Sequence, residues 1–219
     1  MERSVKSFKI ILIKALSIPD IKIIRFERFC DLRGYFTELF RKSDFNNHPE
    51  AYFLKNVDFV QSNESFSKIS TIRGMHFQWN PFMGKLVRTI SGHMIDLILD
   101  IRLESPTFGK IIAFDMPTNQ SNDYNEWIWI PPGFAHGNFF LEGTLIEYFC
   151  SGEYNPECEA GISPLAKDID WSLCDNNLKE IFDKTVSGDH LITDKDRDGL
   201  SIGEWKNDER SKNFIYNKC

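Results

Sequence analysis

The sequence has no long apolar run. Its nearest approach, Ile10-Ile-Leu-Ile13, stops at Lys14. Such a run is too short for a signal-peptide core and far short of the roughly 20 apolar residues of a membrane helix. The expectation is a chain without a membrane partner, working in the cytoplasm. The five cysteines (Cys30, Cys150, Cys158, Cys174 and Cys219) form neither an even set nor a Cys-x-x-Cys pair. That excludes an obvious disulfide framework and fits reduced thiols in the cytoplasm. Excess positive charge is missing too. With a net charge of −6, bulk electrostatics give no reason to expect nucleic acid as a partner. Internal repeats and low-complexity segments are absent, and helical periodicity is scarce. What is abundant is core-forming material: 42% hydrophobic residues, 14% aromatic and 19 Phe in 219 residues. That is enough for one well-filled domain, or one domain with an appendage.

Along the chain, short β-branched and aromatic runs alternate with Gly, Pro, Asn and Asp turns. After a short N-terminal lead, strands are expected at 19–26, 35–40, 57–63, 69–79, 85–91 and 93–101, then at 110–116, 127–131, 137–141 and 144–150. Residues 42–51 read as loop or a short helix. In 93–101 the alternation is clear: Ile95, Leu97, Leu99 and Ile101 share one face, Met94, Asp96, Ile98 and Asp100 the other. Two carboxylates on one strand face are more than a packing surface needs. Many short strands with few helices predict an all-β fold, a barrel or sandwich of jelly-roll form. Near Trp171 the character changes. Asn176 to Lys184 has helical spacing and the remaining tail is polar. The division is a jelly-roll domain over 1–171 and a partly helical C-terminal extension over 172–219, packed on the same domain.

The densest cluster of chemistry is Thr71 to His93, TIRGMHFQWNPFMGKLVRTISGH. His76 and Gln78 project to one side of a strand, and the next strand can present Lys85, Val87 and Thr89 on one face. A base and a cation on neighbouring strands can handle an acidic C–H or an anion; a sheet with a solvated polar face is the plain alternative. Two features are set aside. Asp194-Lys-Asp-Arg-Asp-Gly199 opens like a calcium loop, but Glu204 falls one position early and Trp205 occupies the ligand place, so a polar turn is expected. His76, His93 and His136 lack the His-x-His step of a barrel metal site and read as hydrogen-bonded residues.

In order along the chain stand Asp31-Leu-Arg-Gly-Tyr-Phe-Thr-Glu38, Val60-Gln-Ser-Asn-Glu-Ser65, Ile72-Arg-Gly-Met-His-Phe-Gln78 and Gly84-Lys-Leu-Val-Arg88. Then come Asp96, Asp100-Ile-Arg102, Ser105-Pro-Thr-Phe-Gly109, Pro131-Pro-Gly-Phe-Ala-His-Gly137 and Tyr148 to Tyr154. This series, over about 19–171, resembles the dTDP-4-dehydrorhamnose 3,5-epimerase family. The resemblance implies a cupin-type jelly-roll barrel, an isomerase acting on a nucleotide-linked 4-keto-6-deoxyhexose in deoxysugar and surface-polysaccharide synthesis, no cofactor or metal, and a homodimer that exchanges strands. It implies His76 as base, Tyr148 as acid on the opposite ring face and Lys85 as the cation near the C4 oxygen. Arg33 and Arg73 would hold the diphosphate, Phe36 would contact the nucleotide, and Glu38, Gln61, Asn63 and His136 would complete the pocket. Arg73 lies three positions from His76, so a twist or bulge at Gly74 is needed to bring both into one pocket.

The chain departs from the family pattern at Gly161-Ile-Ser-Pro-Leu-Ala-Lys-Asp-Ile-Asp-Trp171, where a Trp-Asn-Asp-Pro-like segment is expected to carry the Asp that orients the base. Asp168 and Asp96, with Asp100 behind them, are then the candidate carboxylate partners. Phe149 stands for a usual Lys and Met83 for a common Gln. These changes leave three readings: inversion at C3 and C5, inversion at a single centre, or a nucleotide-sugar-binding module without catalysis.

Overall fold

A computed structural model describes residues 9–218 of the chain. Among them the strands are β1 (Ile10–Ala15), β2 (Lys22–Glu27), β3 (Phe29–Asp31), β4 (Gly34–Phe36), β5 (Gln61–Ser67), β6 (Ile72–Gln78) and β7 (Lys85–Ser91). They continue with β8 (His93–Asp100), β9 (Ile111–Pro117), β10 (Tyr124–Ile130), β11 (Phe134–Phe140), β12 (Thr144–Cys150) and β13 (Glu159–Gly161). The helices are α1 (Lys42–Asn47), α2 (Asn176–Ser187), α3 (Asp194–Arg197) and α4 (Ile202–Asn207). One sheet runs β1-β2-β10-β7-β12-β5, the other β13-β6-β11-β8-β9, and β3 and β4 form a separate hairpin. The expected all-β jelly roll is present, as two facing sheets.

The central strands β8 and β11 are buried on both faces, which explains their nearly continuous apolar character, whereas β1 and β5 at the edges of the six-stranded sheet keep exposed positions. Between the sheets, Ile23, Val87, Ile128 and Ile146 meet Met94, Ile98, Ile112, Phe134 and Phe140. Outside the six-stranded sheet, Ile24, Phe26, Trp127 and Trp129 lie under Phe45, Leu54 and Phe59. Outside the five-stranded sheet, Ile95, Leu97, Leu99 and Phe77 lie under Phe182, Ile202, Trp205 and Phe214. The two faces read from β8 therefore serve two different cores. Trp205, fully buried, also donates its indole N–H to the Ile101 carbonyl at 3.0 Å, satisfying the polar atom that burial would otherwise leave unpaired. The extension is thus a lid over one sheet.

Several expectations change. The apolar run at Ile10 is not a lead but β1, paired antiparallel with β2. The strand expected at 35–40 ends at Phe36, because β3 and β4 close a short hairpin with Gly34 at φ +129°. The strand placed at 57–63 lies instead at β5, paired along β12 from Ser67 to Gln61. Asp194–Arg197 is the short helix α3, capped by the Thr193 side chain, not a polar turn. His93 is hydrogen-bonded as expected, its partner being Asp115. Arg102 pairs with buried Asp100 and with Asp20, a structural tie.

Replacing Trp205 with Ala should lower stability by about 3–5 kcal/mol, the range for emptying a large buried aromatic site. The same change at half-exposed Leu191 should cost well under half of that, both read from urea unfolding.

Candidate active site

A cavity of about 430 Å³ opens between the ends of the two sheets, lined by His76, Lys85, His136, Tyr148, Tyr154 and Glu159 among others. A smaller space of about 150 Å³ adjoins it, sharing His76, Lys85 and Tyr148 and lined also by Arg73, Asn138 and Asp196. Topology places the chemistry on opposite walls. His76 on β6 and His136 on β11 belong to the five-stranded sheet; Lys85 on β7 and Tyr148 on β12 belong to the six-stranded sheet. A ligand between them meets a base on one side and a cation and a phenol on the other.

Of the twist or bulge expected at Gly74, the bulge is present. His136 pairs with His76 but Asn138 pairs with Arg73, so three steps on β6 oppose two on β11. Gly74 sits at φ +104°, and a Cβ there would stand 2.5 Å from the Gly137 Cα. Only glycine fits this contact. The bulge brings Arg73 to the space beside His76, where its Nε donates to Ser67 Oγ at 2.8 Å.

His76 is held by a carboxylate, but neither Asp168 nor Asp96 supplies it. Asp168 accepts the backbone N–H groups of Ile202 and Gly203 at 3.2 and 2.8 Å, because it sits at the start of α4 where those donors lack intrahelical partners. Asp96 faces His136 Nε2 at 2.6 Å across the β8–β11 ladder. The partner of His76 is Asp196 on α3, whose Oδ1 lies 2.8 Å from Nε2 while its Oδ2 accepts the Gly74 N–H at 3.2 Å. In the neutral imidazole this contact puts the proton on Nε2 and leaves Nδ1 with its lone pair. The signal was present in the run Thr193-Asp-Lys-Asp196, a cap followed by acidic residues, but a three-dimensional contact across 120 positions has no local signature.

Of the other pocket residues, Gln61, Asn63 and His136 line the cavity. Gln61 donates to Asn63 at 3.0 Å and accepts the Tyr154 N–H at 2.9 Å. Gln78 also lines it, but its amide is consumed by the Pro81 and Glu153 carbonyls and the Asn155 N–H, which fixes the loop leading to Glu159. Arg33, Phe36 and Glu38 are not brought in. Arg33 pairs with Asp31 with its side chain 90% exposed, Phe36 is 65% exposed and Glu38 pairs with Arg41. These three residues do not line this cavity.

Burial sets the charges. It pushes the Lys85 ammonium below its ordinary pKa, against the opposing pull of Cys150, Asp96 and Glu159. It pushes the Tyr148 phenol up, with Cys150 adding to the effect and Arg73 and Asn63 opposing it, so the phenol keeps its proton near neutrality. Burial also lowers His136, against the charge of Asp96. Burial alone would raise the Asp196 carboxyl, but the His76 hydrogen bond and charge, with the Gly74 N–H and Thr193, hold it below the usual range. Among the described residues no group of three or more His, Cys, Asp and Glu is arranged to hold a metal ion.

Nitrogen-15 NMR of the histidine ring should find His76 protonated at Nε2. Asp196→Ala should abolish that preference, whereas Asp168→Ala should leave it intact.

The dTDP-4-dehydrorhamnose 3,5-epimerase family model matches residues 15–204. The chain is 41% identical over 155 residues to the dTDP-4-dehydrorhamnose 3,5-epimerase of Sinorhizobium fredii, covering 68% of this chain and 73% of that protein. It is 37% identical over 194 residues to that of Methanothermobacter thermautotrophicus, covering 86% and 92%. The crystal structure of dTDP-6-deoxy-D-glucose-3,5-epimerase from Legionella pneumophila, in complex with dTDP-4-keto-L-rhamnose, superposes with a TM-score of 0.75 at 29% identity, covering 95% and 99%. The two-sheet jelly roll, the cavity between its sheets and these matches agree: the chain belongs to the dTDP-4-dehydrorhamnose 3,5-epimerase family.

Proposed function

We propose that the protein epimerises a dTDP-linked 4-keto-6-deoxyhexose at C3 and C5, for deoxysugar and surface-polysaccharide synthesis in the cytoplasm. The observation that carries this reading is the placement of His76, backed by Asp196, on one wall of the cavity and of Lys85 and Tyr148 on the other. Hydrogens on C3 and C5 flank the C4 carbonyl, so removing either gives an enolate. His76 Nδ1 takes the proton, Lys85 stabilises the charge growing on the C4 oxygen, and Tyr148 returns a proton to the opposite ring face. In this reading Arg73, beside the cavity, holds the nucleotide diphosphate, and Gln61 and Asn63, which line it, contact the substrate. The chemistry needs no redox or electron-sink cofactor, because the ketone itself accepts the electron pair.

Arg33, Phe36 and Glu38 fit this function only from a second copy. We read the protein as a homodimer in which the exposed β3–β4 hairpin and the segment after it complete the neighbouring nucleotide site. Leu32 at its tip is fully exposed, which suits a buried position in an assembly. Co-expression of Arg33→Ala and His76→Ala chains should then restore roughly a quarter of native activity, because one site of each mixed dimer is intact. No restoration would place both residues in one chain's site.

Incubation with dTDP-4-keto-6-deoxyglucose in D₂O should show deuterium entering C3 and C5 by proton NMR. His76→Ala should abolish it, and Lys85→Met should slow turnover by about 10²–10³. Exchange at one carbon alone would make the enzyme a single-centre epimerase. The lowered Lys85 ammonium loses its charge as pH rises, so activity should fall on the alkaline side below the ordinary lysine range. Lys85→Arg should shift that alkaline limb upward, because guanidinium stays charged.

A further inference from the structure

A base that has taken a proton from carbon must be emptied before it can act again. On the functional reading above, the captured proton sits on His76 Nδ1, since Nε2 is committed to Asp196. Losing the Nε2 proton instead would leave the ring in the other tautomer, with Nδ1 blocked. A bound sugar would also cover the cavity and separate Nδ1 from bulk water. Inverting two carbons in one residence would require the base to be reset under that cover.

Glu159 faces Nδ1. Its Oε1 stands 3.8 Å from Nδ1, one water or a small ring rotation from hydrogen-bond contact. Its Oε2 accepts from Lys195 Nζ at 2.8 Å and from the Tyr154 hydroxyl at 2.9 Å. Those two bonds fix the carboxylate with its other oxygen toward the imidazole. Glu159 itself is 12% exposed at the side chain, while that of Lys195 is 60% exposed and Tyr154 is 53% exposed. Glu159 and Tyr154 line the cavity, and through mostly exposed Lys195 the carboxylate joins the base to water at the cavity's edge. A crevice of about 160 Å³ lined by His76, Lys195, Asp196 and Arg210 opens on this side. Burial alone would raise the Glu159 carboxyl, but Lys195, Tyr154 and His76 hold it below its usual range, so it is ionised and able to accept.

We propose that Glu159 is the proton outlet of His76. After the C–H bond breaks and its proton reaches Nδ1, the Nδ1–H bond breaks and an O–H bond forms at Glu159 Oε1, directly or across one water. The carboxylic acid then releases the proton to water beside Lys195 and Tyr154. The imidazole returns to its Nε2–H tautomer with Nδ1 free, and the Tyr148 phenolate recovers its proton separately from water. Glu159 acts through His76, a role distinct from holding the sugar.

The test follows dTDP-4-keto-6-deoxyglucose in D₂O at early times and compares deuterium in recovered substrate with deuterium in product. Recovered substrate gains deuterium when the proton on His76 exchanges before returning to the same face. The native enzyme should deuterate its substrate measurably. Glu159→Gln, which can still accept from Lys195 and Tyr154, should lower the substrate-to-product ratio several-fold, and Glu159→Asp should restore part of it. A residue that only holds sugar would raise KM and leave the ratio unchanged, and that result overturns the proposal. So does native product labelling with no label in recovered substrate. Absence of both epimer and exchange in the native enzyme removes the functional reading, and this proposal with it.

Discussion

The contact on which the site depends is the hydrogen bond between Asp196 and His76. It joins residues 120 positions apart, and no strand ladder imposes it. It exists because the chain after Trp171 folds back across the outer face of the five-stranded sheet, anchored by Phe182, Trp205 and Phe214. That apolar burial sets α3 beside the Gly74 bulge. There Asp196 meets both the imidazole and a backbone N–H. A buried carboxylate is costly without partners and well held with them. The lid thus stabilises the fold and fixes the base, so stability and reactivity are coupled through the same packing.

The two sheets divide the chemistry. Each supplies polar residues to the cavity from strands that also contribute buried apolar side chains to the cores. Lys85 and Tyr148 are therefore held on rigid neighbouring strands, β7 and β12, paired along their length. Opposite them, His76 and His136 are cross-strand neighbours on β6 and β11. Water exclusion by this arrangement strengthens every charge interaction within it. It also explains why burial is the leading influence on Lys85, Tyr148 and His136. Preorganised groups of this kind need no rearrangement when charge develops on a ligand. The small Gly74–Gly137 contact is the backbone device that makes it possible, letting two strands approach closely enough for a bulge to set exposed Arg73 beside His76.

Much of this was legible locally. Period-two alternation in 93–101 and the β-branched runs at 85–91 and 144–150 gave their strands, because a pleated, buried surface selects those residues directly. The need for a twist or bulge at Gly74 followed from counting faces between Arg73 and His76. The misreadings have one cause. Ile10–Ala15 looks like a bare apolar lead until β2 pairs with it. Asp168 looks like a partner for His76 until α4 claims it, and Asp194-Lys-Asp-Arg-Asp-Gly199 looks like an interrupted ion loop until Asp196 is seen against the imidazole. In each case the identity of a neighbour in space decided the role.

The sequence by itself determined most of the sheet-forming segments and the all-β class, because these rest on composition and short-range periodicity. The choice of His76, Lys85 and Tyr148 as the candidate site rests on the resemblance of their motifs to the family. Only the tertiary structure decided which carboxylate serves His76, that Asp96 belongs to His136, that Glu159 looks at the free imidazole nitrogen, and that Arg33, Phe36 and Glu38 lie away from this cavity. Those are pairings between distant segments, set by how apolar faces pack and by which buried polar groups remain to be satisfied. Neither quantity is fixed until the whole chain has folded.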